Sequence, residues 1–111
     1  MVSIRYLQKY IQQKDHHPEL IKDYYMKLTE EVGELGRAIR MNKRPQTPAQ
    51  IKETLDEEIW DIIYYALAIA NCYEIDLEEV IALEEVIALK EKVNSQKYQT
   101  DIVYDPDSEK I

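Results

Sequence analysis

Residues 20–41 read LIKDYYMKLTEEVGELGRAIRM, and the fold follows from their period. Leu20, Tyr24, Leu28, Val32, Leu35 and Ile39 recur every three or four residues, the stripe of an amphipathic helix. Within it, Lys27–Gly36 collects Glu30, Glu31, Glu34 and both glycines of the chain. A helix turns by about 100° per residue. Glu31 therefore falls inside the apolar arc, Glu34 at its edge and Glu30 further toward solvent. Like charges one turn apart repel, and a glycine inside a helix costs about 1 kcal/mol relative to alanine. Both costs in one place predict a bound cation, with Mg²⁺ the first choice and Mn²⁺ the second.

On either side of this helix the same period continues. Ile4, Leu7 and Ile11, flanked by Tyr6 and Tyr10, predict a first helix from Ser3 to Lys14. Asp15-His16-His17-Pro18 interrupts it, and Pro18 suits the first turn of the second helix, which runs to Met41. Residues 42–47 read as a loop. Thr47-Pro48-Ala49-Gln50 has the form of a capping box and predicts a third helix to Asn71, with Ile51, Leu55, Ile59, Ile62, Ala66 and Ile69 on one side. Asp76 and Glu79 form another such box and predict a fourth helix to Gln99. The tail from Thr100 has turn chemistry and is expected to be extended or mobile. With no period-two alternation and no hairpin turn pair, the fold class is all-α, an antiparallel bundle of about four helices within one domain over residues 1–99.

Composition narrows the function classes. A chain of 111 residues with 45% apolar content folds, but its core is small and gains from oligomerisation. A net charge of −8 argues against nucleic acid or an anionic membrane as partner. It leaves room for a nucleotide, because a metal ion reverses the local sign. Cys72 alone rules out an intrachain disulfide and a cysteine-based zinc site. No leader and no apolar run of about 20 residues is visible, so a cytoplasmic location is expected. His16 and His17 read as helix-break residues, Trp60, opposite the apolar arc of its helix, as a subunit-packing or exposed aromatic, and Lys43 and Arg44 as solvated, with contact to phosphates the second reading. Tyr24 and Tyr65 read as core or seam aromatics.

The third helix repeats the acid pattern. Glu58 lies at the edge of the Ile51/Ile62/Ile69 arc, Asp61 one step outside it, and Glu57 faces away. Burying four carboxylates together costs several kcal/mol each unless cations or protons intervene. Hard divalent ions with oxygen ligands meet that need. A di-iron bundle would instead want Glu-x-x-His, and no histidine follows either pair.

Glu30-Glu31-x-x-Glu34 and Glu58-x-x-Asp61, set among KLTEEVGEL, DEEIWDIIYYALAIAN, IDLEEV and KEKVNSQKY over residues 20–98, resemble the MazG-like nucleoside triphosphate pyrophosphohydrolases. The resemblance implies hydrolysis of a nucleoside triphosphate to monophosphate and pyrophosphate in a homodimer or homotetramer. It implies that Glu31, Glu34, Glu58 and Asp61 ligate Mg²⁺ and that Glu34 also orients or deprotonates the attacking water. Lys90, Asn94 and Lys97 match positions associated with the phosphates, and Lys27 joins them as a candidate substrate contact. Two alternatives remain: a phosphoribosyl-ATP pyrophosphohydrolase, and a helical interaction module whose acids are inert.

One departure from the family pattern stands out. EEVIAL occurs at residues 78–83 and again at 84–89. One extra copy within a continuous helix rotates the downstream residues by about 600°, a net 120°, and moves them about 9 Å along the axis. The duplication therefore bears on Lys90, Asn94 and Lys97, and leaves the acids of the earlier helices untouched.

Overall fold

The computed structural model describes residues 2–82 and 88–94, and every regular element among them is helical. The chain divides into two compact units, Met1–Ile75 and Asp76–Ile111. The first contains three α-helices: α1 (Ile4–Lys14), α2 (Ile21–Met41) and α3 (Leu55–Cys72). In the second, α4 spans Leu77–Ala82, and residues 88–94 are also helical. The path of the EEVIAL repeat between them, the continuation to Gln99, Lys97 and the tail lie outside the described residues.

Local chemistry sets the boundaries. Ser3 caps α1 by accepting a hydrogen bond from the Tyr6 amide at 3.0 Å. Pro18–Leu20 forms a 3₁₀ turn that leads directly into α2, so the second helix begins where its proline predicts. Asn42 ends α2 in the left-handed region at φ 50°, and the Lys43 amide donates back to the Ala38 carbonyl at 3.1 Å. Asp76 caps α4 through its Oδ1, which accepts from the Glu78 amide at 3.0 Å.

The third helix differs from its predicted start. Thr47 makes no side-chain cap, and Pro48–Gln50 is only a 3₁₀ turn. The chain then passes through Glu53 at φ 64° before α3 begins at Leu55. The working cap is Thr54, whose hydroxyl accepts from the Glu57 amide at 3.4 Å and donates to the Ile51 carbonyl at 2.5 Å. Ile51 accordingly sits in the preceding turn and is not part of the α3 stripe. Thr54 is buried, so Thr54→Ala should destabilise the protein by about 1 kcal/mol. Thermal unfolding measures this, and an unchanged midpoint would show the cap to be redundant.

Both α1 and α2 run opposite to α3. Along α1, the Gln8 side-chain amide donates to Asn71 Oδ1 at 3.0 Å, and Lys14 lies 5.3 Å from the centre of the Tyr64 ring. Along α2, Glu31 meets Glu58 and Asp61, and the Leu55 amide donates to the Lys43 carbonyl at 2.9 Å. Asp15 ties the three helices at one end. Its carboxylate accepts from the Tyr24 hydroxyl at 2.7 Å and the Tyr64 hydroxyl at 3.3 Å. Burial and the neighbouring Asp15 push the Tyr64 phenol up to about 12, and they raise Tyr24 as well.

The packed core consists of Ile11, Tyr24, Ala38, Leu67, Ala68 and Ala70. On α2 the covered positions are Ile21, Tyr24, Leu28, Glu31, Leu35, Gly36 and Ala38, whereas Val32 and Ile39 of the predicted stripe are 53% and 59% exposed. Glu31 thus occupies a seam position, and among the described residues a second apolar edge of α2, at Val32 and Ile39, is exposed.

Candidate metal centre

Glu31 projects from the middle of α2, and Glu58 and Asp61 project from α3 one turn apart. One carboxylate oxygen from each lies within 4.8 Å of the others, the only such acidic group among the described residues. Glu58 is the deepest, 4% exposed, and its Oε2 has no hydrogen-bond partner. Burial, a hydrogen bond to Glu58 and the charge of Glu58 push the Glu31 carboxyl up to about 7. Burial first, then the charges of Glu31 and Glu57, push Asp61 up to about 6. All three effects disfavour a full set of negative charges here.

No cation among the described residues relieves them. Lys27, the nearest candidate by sequence, pairs instead with Glu30 at 3.3 Å. Arg44 is held away by a two-point contact with Asp56, Nε to Oδ1 at 2.6 Å and Nη2 to Oδ2 at 3.1 Å. A buried carboxylate oxygen without a partner is costly to leave so. The donor set is all oxygen, without histidine or cysteine, which fits a hard divalent ion such as Mg²⁺. The residues present therefore suit the metal.

Three of the four sequence-predicted acids come together in this way. Glu34 does not join the group within 4.8 Å; it is exposed one turn further along α2, close enough for its charge to raise Glu31. It lines a small recess together with Arg37, Ala38, Met41, Lys43 and Glu53. Lys90 and Asn94 lie in the helical residues 88–94 of the second unit, exposed and half-buried respectively.

Tyr65 belongs beside the acids, although its sequence pattern places it only with the packing aromatics. Burial raises its phenol, and the charges of Lys27, Glu31 and Asp61 all reach it. Its spacing of one turn from Asp61 is the signal that marks it. Tyr65 also packs edge-on against Tyr64, with ring centres 5.2 Å apart.

Residues 20–98 match the profile of the MazG nucleotide pyrophosphohydrolase domain. Crystal structures of iMazG from Vibrio DAT 722 superpose on the chain. One, carrying a C-terminal tag, has a TM-score of 0.72 at 39% identity, covering 78% of this chain and 97% of that one. An N-terminally tagged form has a TM-score of 0.71 at 37% identity, covering 89% and 100%. The uncharacterized protein YpjD of Bacillus subtilis (strain 168) is 36% identical over 55 residues, or 48% of this chain. The matched stretch spans half of that relative's length (50%). With its acids on two antiparallel helices and the family's domain over most of its length, the chain belongs to the MazG nucleotide pyrophosphohydrolase family.

Proposed function

We propose that the protein is a Mg²⁺-dependent nucleotide pyrophosphohydrolase that cleaves an NTP or dNTP to the monophosphate and pyrophosphate. The observation that carries this reading is the Glu31–Glu58–Asp61 group with a buried, partnerless Glu58 oxygen. These three side chains would hold the metal, with Mn²⁺ an acceptable substitute. When bound, a divalent ion offsets phosphate charge and lowers the pKa of water.

Glu34 has a different task. As an exposed carboxylate one turn from Glu31, it can accept a proton from water that an interior group could not reach, and it completes the ligand set from the solvent side. Water oxygen forms a bond to the α-phosphorus, the α–β bridging P–O bond breaks, and its electron pair leaves with pyrophosphate. Glu58 and Asp61, fixed on a capped helix, hold their carboxylates in place while this occurs. Lys27, together with Lys90, Asn94 and Lys97, belongs to the proposed substrate contacts.

Incubation with a panel of NTPs and dNTPs plus Mg²⁺, with pyrophosphate and monophosphate measured separately, tests the reaction. Equal amounts of both products are expected. Orthophosphate release, or silence across the panel, would overturn it.

The working form is proposed to be a homodimer or homotetramer in the cytoplasm. Tyr25, Thr29, Val32 and Ile39, with the half-buried Gly36 among them, succeed one another at helical spacing along an exposed edge of α2, and Ile59 and Ile63 are exposed on α3. A second copy would cover them. Ile39→Arg is then expected to shift the sedimentation coefficient toward that of the single chain. A wild type that sediments as a monomer at micromolar concentration would rule the assembly out. Among the described residues, no helix is long and apolar enough to cross a membrane.

A further inference from the structure

The charge of the chain is unevenly spread. Between Glu34 and Glu53 there is no acid, while Arg37, Arg40, Lys43, Arg44 and Lys52 fall in that interval of a chain whose net charge is −8. Cations at the end of a helix are favourable by themselves, since they face its negative pole. That explains Arg40, in the last turn of α2. It does not explain why Arg37 and Lys43 border the same recess as Glu34.

The recess encloses about 10 Å³, room for one water or one phosphoryl oxygen. Arg37 forms no ion pair or hydrogen bond among the described residues, so its donors are uncommitted. Lys43 is only loosely engaged, 3.8 Å from Glu53. Arg44, by contrast, is occupied by Asp56. Arg37 stands six residues beyond Glu31, about 9 Å along the helix axis and about 120° around it, with Glu34 midway between them. A flexible cationic side chain at that distance reaches the far end of an extended polyphosphate whose near end lies at the acids.

We propose that Arg37 and Lys43, at the recess beside Glu34, form a binding subsite for the distal phosphates of the substrate, the part released as pyrophosphate. The assignment rests on the pyrophosphohydrolase reading and extends it with an anchor that none of the acids supplies. A guanidinium gives two-point recognition of phosphate oxygens, and the lysine adds a movable charge. Glu53 is the built-in competitor: it shares the recess wall and must release Lys43 when an anion arrives. Removing its charge should therefore tighten binding, an outcome that a merely structural role for Lys43 does not produce.

Binding of inorganic pyrophosphate with Mg²⁺, monitored by calorimetry on the full chain, provides the test without requiring turnover. Arg37→Gln and Lys43→Gln should each weaken pyrophosphate by about tenfold. Glu53→Gln should strengthen it several-fold, and Lys52→Gln, outside the recess, should leave it unchanged. In turnover, Arg37→Gln should raise KM with kcat kept within about twofold, while inhibition by the nucleoside monophosphate, which lacks the distal phosphates, stays as in wild type. Unchanged pyrophosphate affinity in both cation variants would overturn the subsite, as would an equal loss of monophosphate and pyrophosphate binding. Failure of the activity reading is separately visible as wild-type protein that binds pyrophosphate but releases none from any nucleotide.

Discussion

Glu58→Gln is expected to raise the melting temperature of the metal-free protein and, in the same molecule, to abolish Mg²⁺ binding and turnover. Both effects come from the same atoms. Glu58 is almost fully covered, its Oε2 lacks a partner, and Glu31 and Asp61 crowd its other side. A neutral amide of the same shape removes the like-charge repulsion and gives Glu31 and Asp61 a hydrogen-bond donor. The gain expected from relieving such a group is about 1–3 kcal/mol. Loss of a metal ligand takes away several kcal/mol of transition-state stabilisation, roughly a thousandfold or more in rate. Glu34→Gln should separate from it in kind. An exposed carboxylate contributes little to stability, so its melting point stays near wild type, and Mg²⁺ still binds through the three inner acids but more weakly for want of its solvent-side ligand, while kcat falls by about 10²–10⁴. Paired thermal melts and Mg²⁺ titrations check both variants. A metal-free Glu58→Gln that melts below wild type would mean that the carboxylate is satisfied in the fold, and the metal assignment would lose its physical basis.

The contrast between these two acids also shows how far the sequence reaches. Helical period identifies the bundle, and the matched acid pairs identify the helices that meet, because a 3.6-residue repeat is set by local geometry. Glu31 is legible as an intrusion into an apolar stripe. The greater burial of Glu58 is not, because an α3 stripe that includes Ile51 misplaces the buried arc, and the true helix starts at Leu55, seven residues after the proline expected to open it. That start depends on Glu53 adopting a left-handed conformation and on Thr54 capping through Glu57. Thr54-x-x-Glu57 has the same capping form as Thr47-x-x-Gln50, and only the fold decides between two neighbouring signals. Val32 and Ile39 make the complementary point. Apolar residues at helical spacing mark a face to be covered, but not whether this chain or another copy covers it.

Raising the pH from 5 to 7.5 should lower the melting temperature of the metal-free protein, and Mg²⁺ should restore it, most strongly at the upper end. The sign follows from the two raised carboxyls. Glu31 moves from an ordinary 4.5 to about 7 in the folded protein, and Asp61 from 3.8 to about 6. Over that interval the folded state holds protons that the unfolded chain has released, so stability falls as pH rises. Their contribution is complete below the ordinary carboxylate range and is lost as pH passes through 6 and then 7. Asp56, held low by Arg44, acts in the opposite sense, but only as pH falls below its ordinary 3.8, outside the window. Mg²⁺ needs the deprotonated carboxylates, so it displaces the same protons and its affinity climbs across the same range. At about a hundredfold excess over its Kd, a ligand confined to the folded state adds about 2.7 kcal/mol. Glu31→Gln isolates the cause, because an amide cannot titrate and the pH slope above 6 should flatten. A wild-type melting point that stays level or rises between pH 5 and 7.5 without metal would contradict the electrostatics of the site. An equal Mg²⁺ effect at both ends would show instead that the ion binds elsewhere.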